Sequence, residues 1–185
     1  TLRRWTHVYG GFVGAEHRRD DRDIVAYETV LDGGAEGPVV TPAAPGYGSS
    51  TIDGFTIRNG NGILISTQRH GGGVYCAGFS PRIAYNKLIG NSNDGIYCSS
   101  SAPVIDSNTI SGNSGRGVYS ASASPVICNN IISGNSGGGI HFYSSPATIY
   151  GNRIYANAAT YGGGVYCSYS SGLIHGNVIA ANSAG

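Results

Sequence analysis

Five asparagines, Asn86, Asn108, Asn130, Asn152 and Asn177, recur at steps of 22, 22, 22 and 25 residues. A second set, Asn91, Asn113, Asn135, Asn157 and Asn182, keeps the same steps. Three residues before the first Asn stands Ile83, Ile105, Ile127, Ile149 or Ile174. Two residues after it stands Leu88, Ile110, Ile132, Ile154 or Ile179. A third apolar column, Val74, Ile96, Val118, Ile140 and Val165, follows a glycine-rich turn. A fixed period held in register over this many copies means that each unit buries its apolar spots against its neighbours, which is a solenoid.

The apolar spots are too short to hold even two helical turns. Around each one the alternation has the strand period, as in Val118 inward, Tyr119 outward, Ser120 inward. A leucine-rich repeat needs several Leu per unit, and the whole chain has five. A left-handed hexapeptide helix would show a six-residue beat, which is absent. The expected fold is all-β: a right-handed, three-sided parallel β-helix of about 22 residues per coil, with coils stacked at ~4.8 Å. The regular coils should run over 51–185 and irregular N-terminal coils over 1–50, as one continuous domain. In the first part a strand is expected at His7–Phe12, another at Thr29–Asp32 and a short one at Val39–Thr41. Residues 15–23, with interleaved Arg and Asp, read as a self-neutralising surface loop, and 42–50 as a Pro/Gly/Ser loop.

Two coils are longer than the rest at the same corner, one around 62–70 and one around 158–161. Solenoid insertions emerge as loops, often on the working face. This corner is therefore the candidate surface, with Arg69, His70 and Tyr161 on it. Beside it runs an outward column of rings, Tyr75, Tyr97, Tyr119, His141 and Tyr166. Such a column can stabilise the sheet by cross-strand stacking, or it can offer aromatic surface to a glycan or partner.

The Asn rows have a structural role. Asn tolerates left-handed turns, and its amide can bond to the equivalent Asn one coil away. The ladder is expected at Asn86, Asn108, Asn130, Asn152 and Asn177, with the second row as turn residues beside solvent. Cys76, Cys98 and Cys167 share an inward column, either as buried thiols or with Cys76 bridged to Cys98. Cys128 falls in an outward column. Without a Cys-x-x-Cys pair or a Cys/His cluster, neither a metal nor any other cofactor is expected.

Glycosidases need paired carboxyl groups, and calcium-assisted lyases need several. The regular coils contain only Asp53, Asp94 and Asp106; Asp53 and Asp106 share a column but stand two coils apart with Ala84 between, roughly 10 Å. Catalytic residues are therefore not expected. A net charge of +1 with 11% charged residues offers no basic field for nucleic acid, and no apolar run is long enough to span a bilayer.

The repeat, with its GGGVY, DGIY, RGVY, GGGIH and GGGVY turns, resembles bacterial right-handed β-helix proteins of the pectate-lyase-like superfamily. These turns are also similar to the repeats of polymorphic outer membrane proteins, which are autotransported adhesins. VYGGFVGAEHRRDDRD followed by TVLDGG is similar to the opening segment of secreted surface proteins of this kind. The resemblance implies an extracellular or cell-surface location reached by bacterial-type secretion and a structural, adhesive role. Its alternative is a carbohydrate-active lyase or hydrolase, or a polysaccharide-binding module that uses the Tyr row. The partner expected is a polysaccharide or cell-surface glycan. The last coil shows no polar cap in the sequence, so the expectation is either that a longer solenoid continues past residue 185 or that a further copy stacks on this end, into a fibre.

Overall fold

Each unit makes three strands of three or four residues, none of which could stand alone. Single residues in the left-handed conformation turn the corners: Ser107, Gly112 and Ser122, with φ of 56°, 62° and 50°, serve one coil. Each strand thereby returns to pair with its equivalent in the next coil. The computed structural model describes residues 1–42 and 49–185; most of the loop expected at 42–50 lies outside the described residues.

All strands of the coils pair in parallel, and they form three sheets. The first sheet has seven strands, from His7–Tyr9 through Thr51–Asp53 and Val104–Asp106 to Leu173–His175. The second also has seven, from Thr29–Asp32 through Thr109–Ser111 to Val178–Ala180. The third has five, from Val74–Ala77 through Val118–Ala121 to Val165–Ser168. Ile83, Ile105, Ile127, Ile149 and Ile174 are in register, as are Leu88, Ile110, Ile132, Ile154 and Ile179. Together with the Val74–Val165 column they fill the interior of a parallel β-helix. Ile52 and Ile57 extend the first two columns at the N-terminal side, and both are buried. Within the last described coil Ile174 and Ile179 are exposed.

Glycine at the corner before the third sheet is a steric requirement. A Cβ on Gly117 would lie 2.7 Å from the carbonyl oxygen of Gly139 and 2.7 Å from the Ile132 side chain. Coils can approach to strand spacing there only without a side chain.

Both Asn rows are buried ladders, which corrects the solvent-side placement expected for the second row. Asn113 donates from Nδ2 to Asn135 Oδ1 at 2.9 Å and to the Leu88 carbonyl at 3.1 Å. Its own Oδ1 accepts from the Asn91 backbone N–H and Nδ2. The same pattern holds from Asn86 to Asn177 in the first row. The corner needs these bonds because its backbone carbonyls lie inside the stack, out of reach of water.

Residues 1–42 make one irregular coil. Its first strand ends at Tyr9 instead of Phe12: Gly10 makes the last ladder bond, to the Asp53 carbonyl, and Gly11 turns away with φ 87°. In place of the strand expected at Val39–Thr41, Val40 makes a single bridge to Val74. The charged loop does not neutralise only itself: Arg22 leaves it to bind Asp53 at 2.6 Å.

Candidate functional site

The insertion at 62–70 folds into an antiparallel hairpin, Ile63–Ile65 against Gln68–His70, turned through Ser66 with φ 55°. At the second insertion, Ala158–Ala159 pairs in parallel with Ser183–Ala184. Beyond that pair Tyr161 projects into solvent, 71% exposed. A groove of about 550 Å³ lies between the insertions. Gln68, Arg69, Arg116, His141, Tyr161 and Tyr166 are among the side chains that line it, and no carboxylate is.

Asp94, fully buried at the corner before the third sheet, organises this groove. Its Oδ1 accepts the backbone N–H of Arg116 at 3.0 Å and lies 3.4 Å from the Arg116 guanidinium. Its Oδ2 lies 3.3 Å from His70 Nδ1, so the base of the hairpin is tied to the next coil. The Arg116 guanidinium also packs over the Tyr119 ring, 4.3 Å from its centroid. Carboxylate and ring together hold one arginine in place at low conformational cost. Arg69 is held by its own hairpin, donating to the Gly62 carbonyl at 2.9 Å. Burial, and then the Arg116 charge, lower the His141 pKa from 6.5 to about 4, so that its imidazole is neutral near pH 7.

Of the residues singled out in the sequence, Arg69, His141, Tyr161 and Tyr166 meet in the groove. His70 is buried at the base of the hairpin, with the Asp94 carboxylate beside its ring. Its ring stacks on Tyr97 at 4.8 Å and packs against Tyr119 at 5.4 Å. Along the row, Tyr75 stacks on Tyr97, Tyr97 meets Tyr119, and His141 meets Tyr166 edge-on. Tyr97 is only 7% exposed. Arg116 stands one 22-residue repeat after Asp94, so the period itself places the two side by side on adjacent coils, a signal missed because the rest of that Gly-rich column carries no charge.

Each of the other two coil carboxylates has an arginine. Asp53 lies between Arg22 and Arg82, and Arg82 continues to Asp106 at 2.7 Å. Burial alone would raise the Asp106 pKa; hydrogen bonds from Asn129 and Ser107 and the Arg82 charge outweigh it and hold the group below its ordinary value. Cys76 and Cys98 are buried free thiols on adjacent strands. Cys128 is buried against Asp106 rather than exposed in its outward column, because the stacked neighbours cover it. Cys167, expected inward, is exposed at the rim of the last described coil.

The family model described as the right handed beta helix region matches residues 72–185. No curated protein shows a significant match to the chain, and no solved structure does.

Proposed function

The chain belongs to the right-handed β-helix family, and from that premise we propose that it is a non-catalytic adhesive module of an extracellular or cell-surface protein, which binds a polysaccharide in the groove between its two insertions. The observation that carries this reading is the Arg116 guanidinium, held on Tyr119 by buried Asp94 and facing a groove with no lining carboxylate. Two guanidinium groups, a neutral imidazole and the exposed Tyr161 ring suit an acidic sugar chain. Arginine takes carboxylates in a fork, and tyrosine packs on the apolar face of a ring while its hydroxyl stays wet. The lowered pKa of Asp106 supports the non-catalytic part, since a glycosidase acid needs a raised one. The likeness of its turns to those of surface adhesins supports the location.

The test is calorimetric titration of the 1–185 chain with uronic-acid, sulfated and neutral oligosaccharides. Binding of an acidic class, weakened by salt and lost in Arg116→Gln and Tyr161→Ala, is expected. Unchanged binding in both variants overturns the groove, and calcium-dependent cleavage of the polymer overturns the non-catalytic reading.

A second reading concerns the coil end. Ile174 and Ile179, which continue the inward columns, are exposed on the last described coil. A further coil laid on them would continue both aliphatic columns and both Asn ladders. We propose that a second copy can supply it, stacking head to tail. Light scattering that stays monomeric as concentration rises, in the 1–185 chain, overturns this.

A further inference from the structure

We propose that the bound polysaccharide runs across the coils, leaving the groove along the strand direction, and rests on a second aromatic subsite formed by Tyr143 and Tyr169. This inference depends on the groove being a glycan site and names the path and the far contact of the chain in it. The axial path along the Tyr row is poorly suited to a sugar. The rings there spend their faces on one another, with Tyr75 and Tyr97 only 14° from parallel. The hairpin then roofs the row, as His70 lies over Tyr97 and Tyr119.

The crosswise path is open. Along the strand Ile140–Tyr143 the inward residues are Ile140 and Phe142, so His141 and Tyr143 face the same outer side. Ser168 pairs with Tyr143 and Tyr166 with His141, which continues this face onto the last described coil. Tyr169 follows directly, and its ring meets that of Tyr143 edge-on at 5.4 Å. Tyr166 lies in the strand Val165–Ser168 and Tyr169 at the corner just beyond it, so a chain leaving the groove along this strand reaches the second pair.

Apart from its edge-on contact with Tyr143, nothing among the described residues covers the Tyr169 ring. It is 84% exposed and sits at φ 50°, a conformation that bulky side chains rarely adopt. The equivalent corners of the three preceding coils have serine, Ser100, Ser122 and Ser144, at φ of 47° to 50°. Among the described residues the other tyrosine in such a conformation, Tyr85, has the Arg82 guanidinium over its ring. Backbone strain without burial points to a contact made outside the fold. The occupant is a polysaccharide because the subsite continues the positively charged groove, and because exposed phenol faces interleaved with imidazole and serine match alternating C–H and hydroxyl groups.

The experiment uses Tyr169→Ser and Tyr143→Ala in the 1–185 chain, each a residue that other coils already use at that position. Both are titrated with a disaccharide and an octasaccharide of the acidic polysaccharide class, beside Arg116→Gln. The double variant should lose about tenfold in octasaccharide affinity, or about 1.4 kcal/mol, and nothing for the disaccharide. Arg116→Gln should weaken both lengths. Unchanged octasaccharide binding in the double variant, or equal loss at both lengths, overturns the crosswise path and leaves the groove standing. If wild type binds no oligosaccharide of either length, the groove and the path fall together.

Discussion

His70 Nδ1 lies 3.3 Å from the carboxylate of Asp94, one coil away, and this contact joins the hairpin to the arginine that faces the groove. Asp94 has no accessible surface, so removing it strands a guanidinium, an imidazole and a backbone N–H. Asp94→Ala should cost about 3–5 kcal/mol, the range for breaking a buried pair from one side. His70→Ala should instead act locally, raising amide exchange over Ile63–His70 while exchange in the coil strands stays unchanged. Denaturant titration and hydrogen exchange measure the two effects. Equal protection of the hairpin in wild type and His70→Ala would contradict the anchoring role.

Position along the stack should grade the cost of the same substitution. Ile110 is fully buried between neighbours, and Ile110→Ala should cost about 2–5 kcal/mol. Ile179, in the same column, is 47% exposed in the last described coil, and Ile179→Ala should cost clearly less. Comparable costs in the 1–185 chain would mean that the coil end is covered in solution, as stacking of copies requires.

The second Asn row should be as sensitive as the aliphatic core. Asn113→Ala removes an amide that serves the Leu88 carbonyl, the Asn91 backbone N–H and both neighbouring amides. Each buried group left without a partner costs about 1–3 kcal/mol. Loss of cooperative unfolding, or a midpoint lowered at least as far as in Ile110→Ala, is expected from thermal denaturation.

His141 should give the fold a pH dependence of known sign. Its pKa is about 4 in the fold against 6.5 in the open chain. Between these values the unfolded state binds more protons. The stability contribution of the neutral ring is therefore complete above 6.5 and is lost as pH falls through about 4. His141→Tyr, which restores the ring found in the other coils, should flatten the stability curve over that interval. An unaltered slope would show that His141 titrates normally.

The cysteines should separate by accessibility. Cys167 is exposed, while Cys76, Cys98 and Cys128 are buried. Neighbouring Cys76 and burial raise the Cys98 thiol well above its ordinary value, so it stays protonated. A thiol reagent should modify Cys167 quickly in the native chain and the other three only on unfolding. Fewer than four thiols after denaturation would reveal a bridge.

The coil, its period, the three inward columns and the first Asn ladder were legible in the amino-acid order. Each of these is a local choice repeated in register, and repetition places like against like without knowledge of the rest of the molecule. The corner where Arg69 and Tyr161 meet was also legible, because an insertion interrupts the period. Tertiary structure alone decided how the insertions are used. The partner of His70 stands 24 residues away, Arg116 rests on a ring of its own coil, and Tyr143 meets Tyr169 across a corner. The hairpin that carries His70 stands outside the repeat, so no register pairs it in advance, and within the repeat the period gives which residues are neighbours but not which way their side chains turn. The second Asn row turned inward for a related reason: the sequence shows a turn residue, but which side of the corner its amide faces depends on the carbonyls that the closed coil leaves without water.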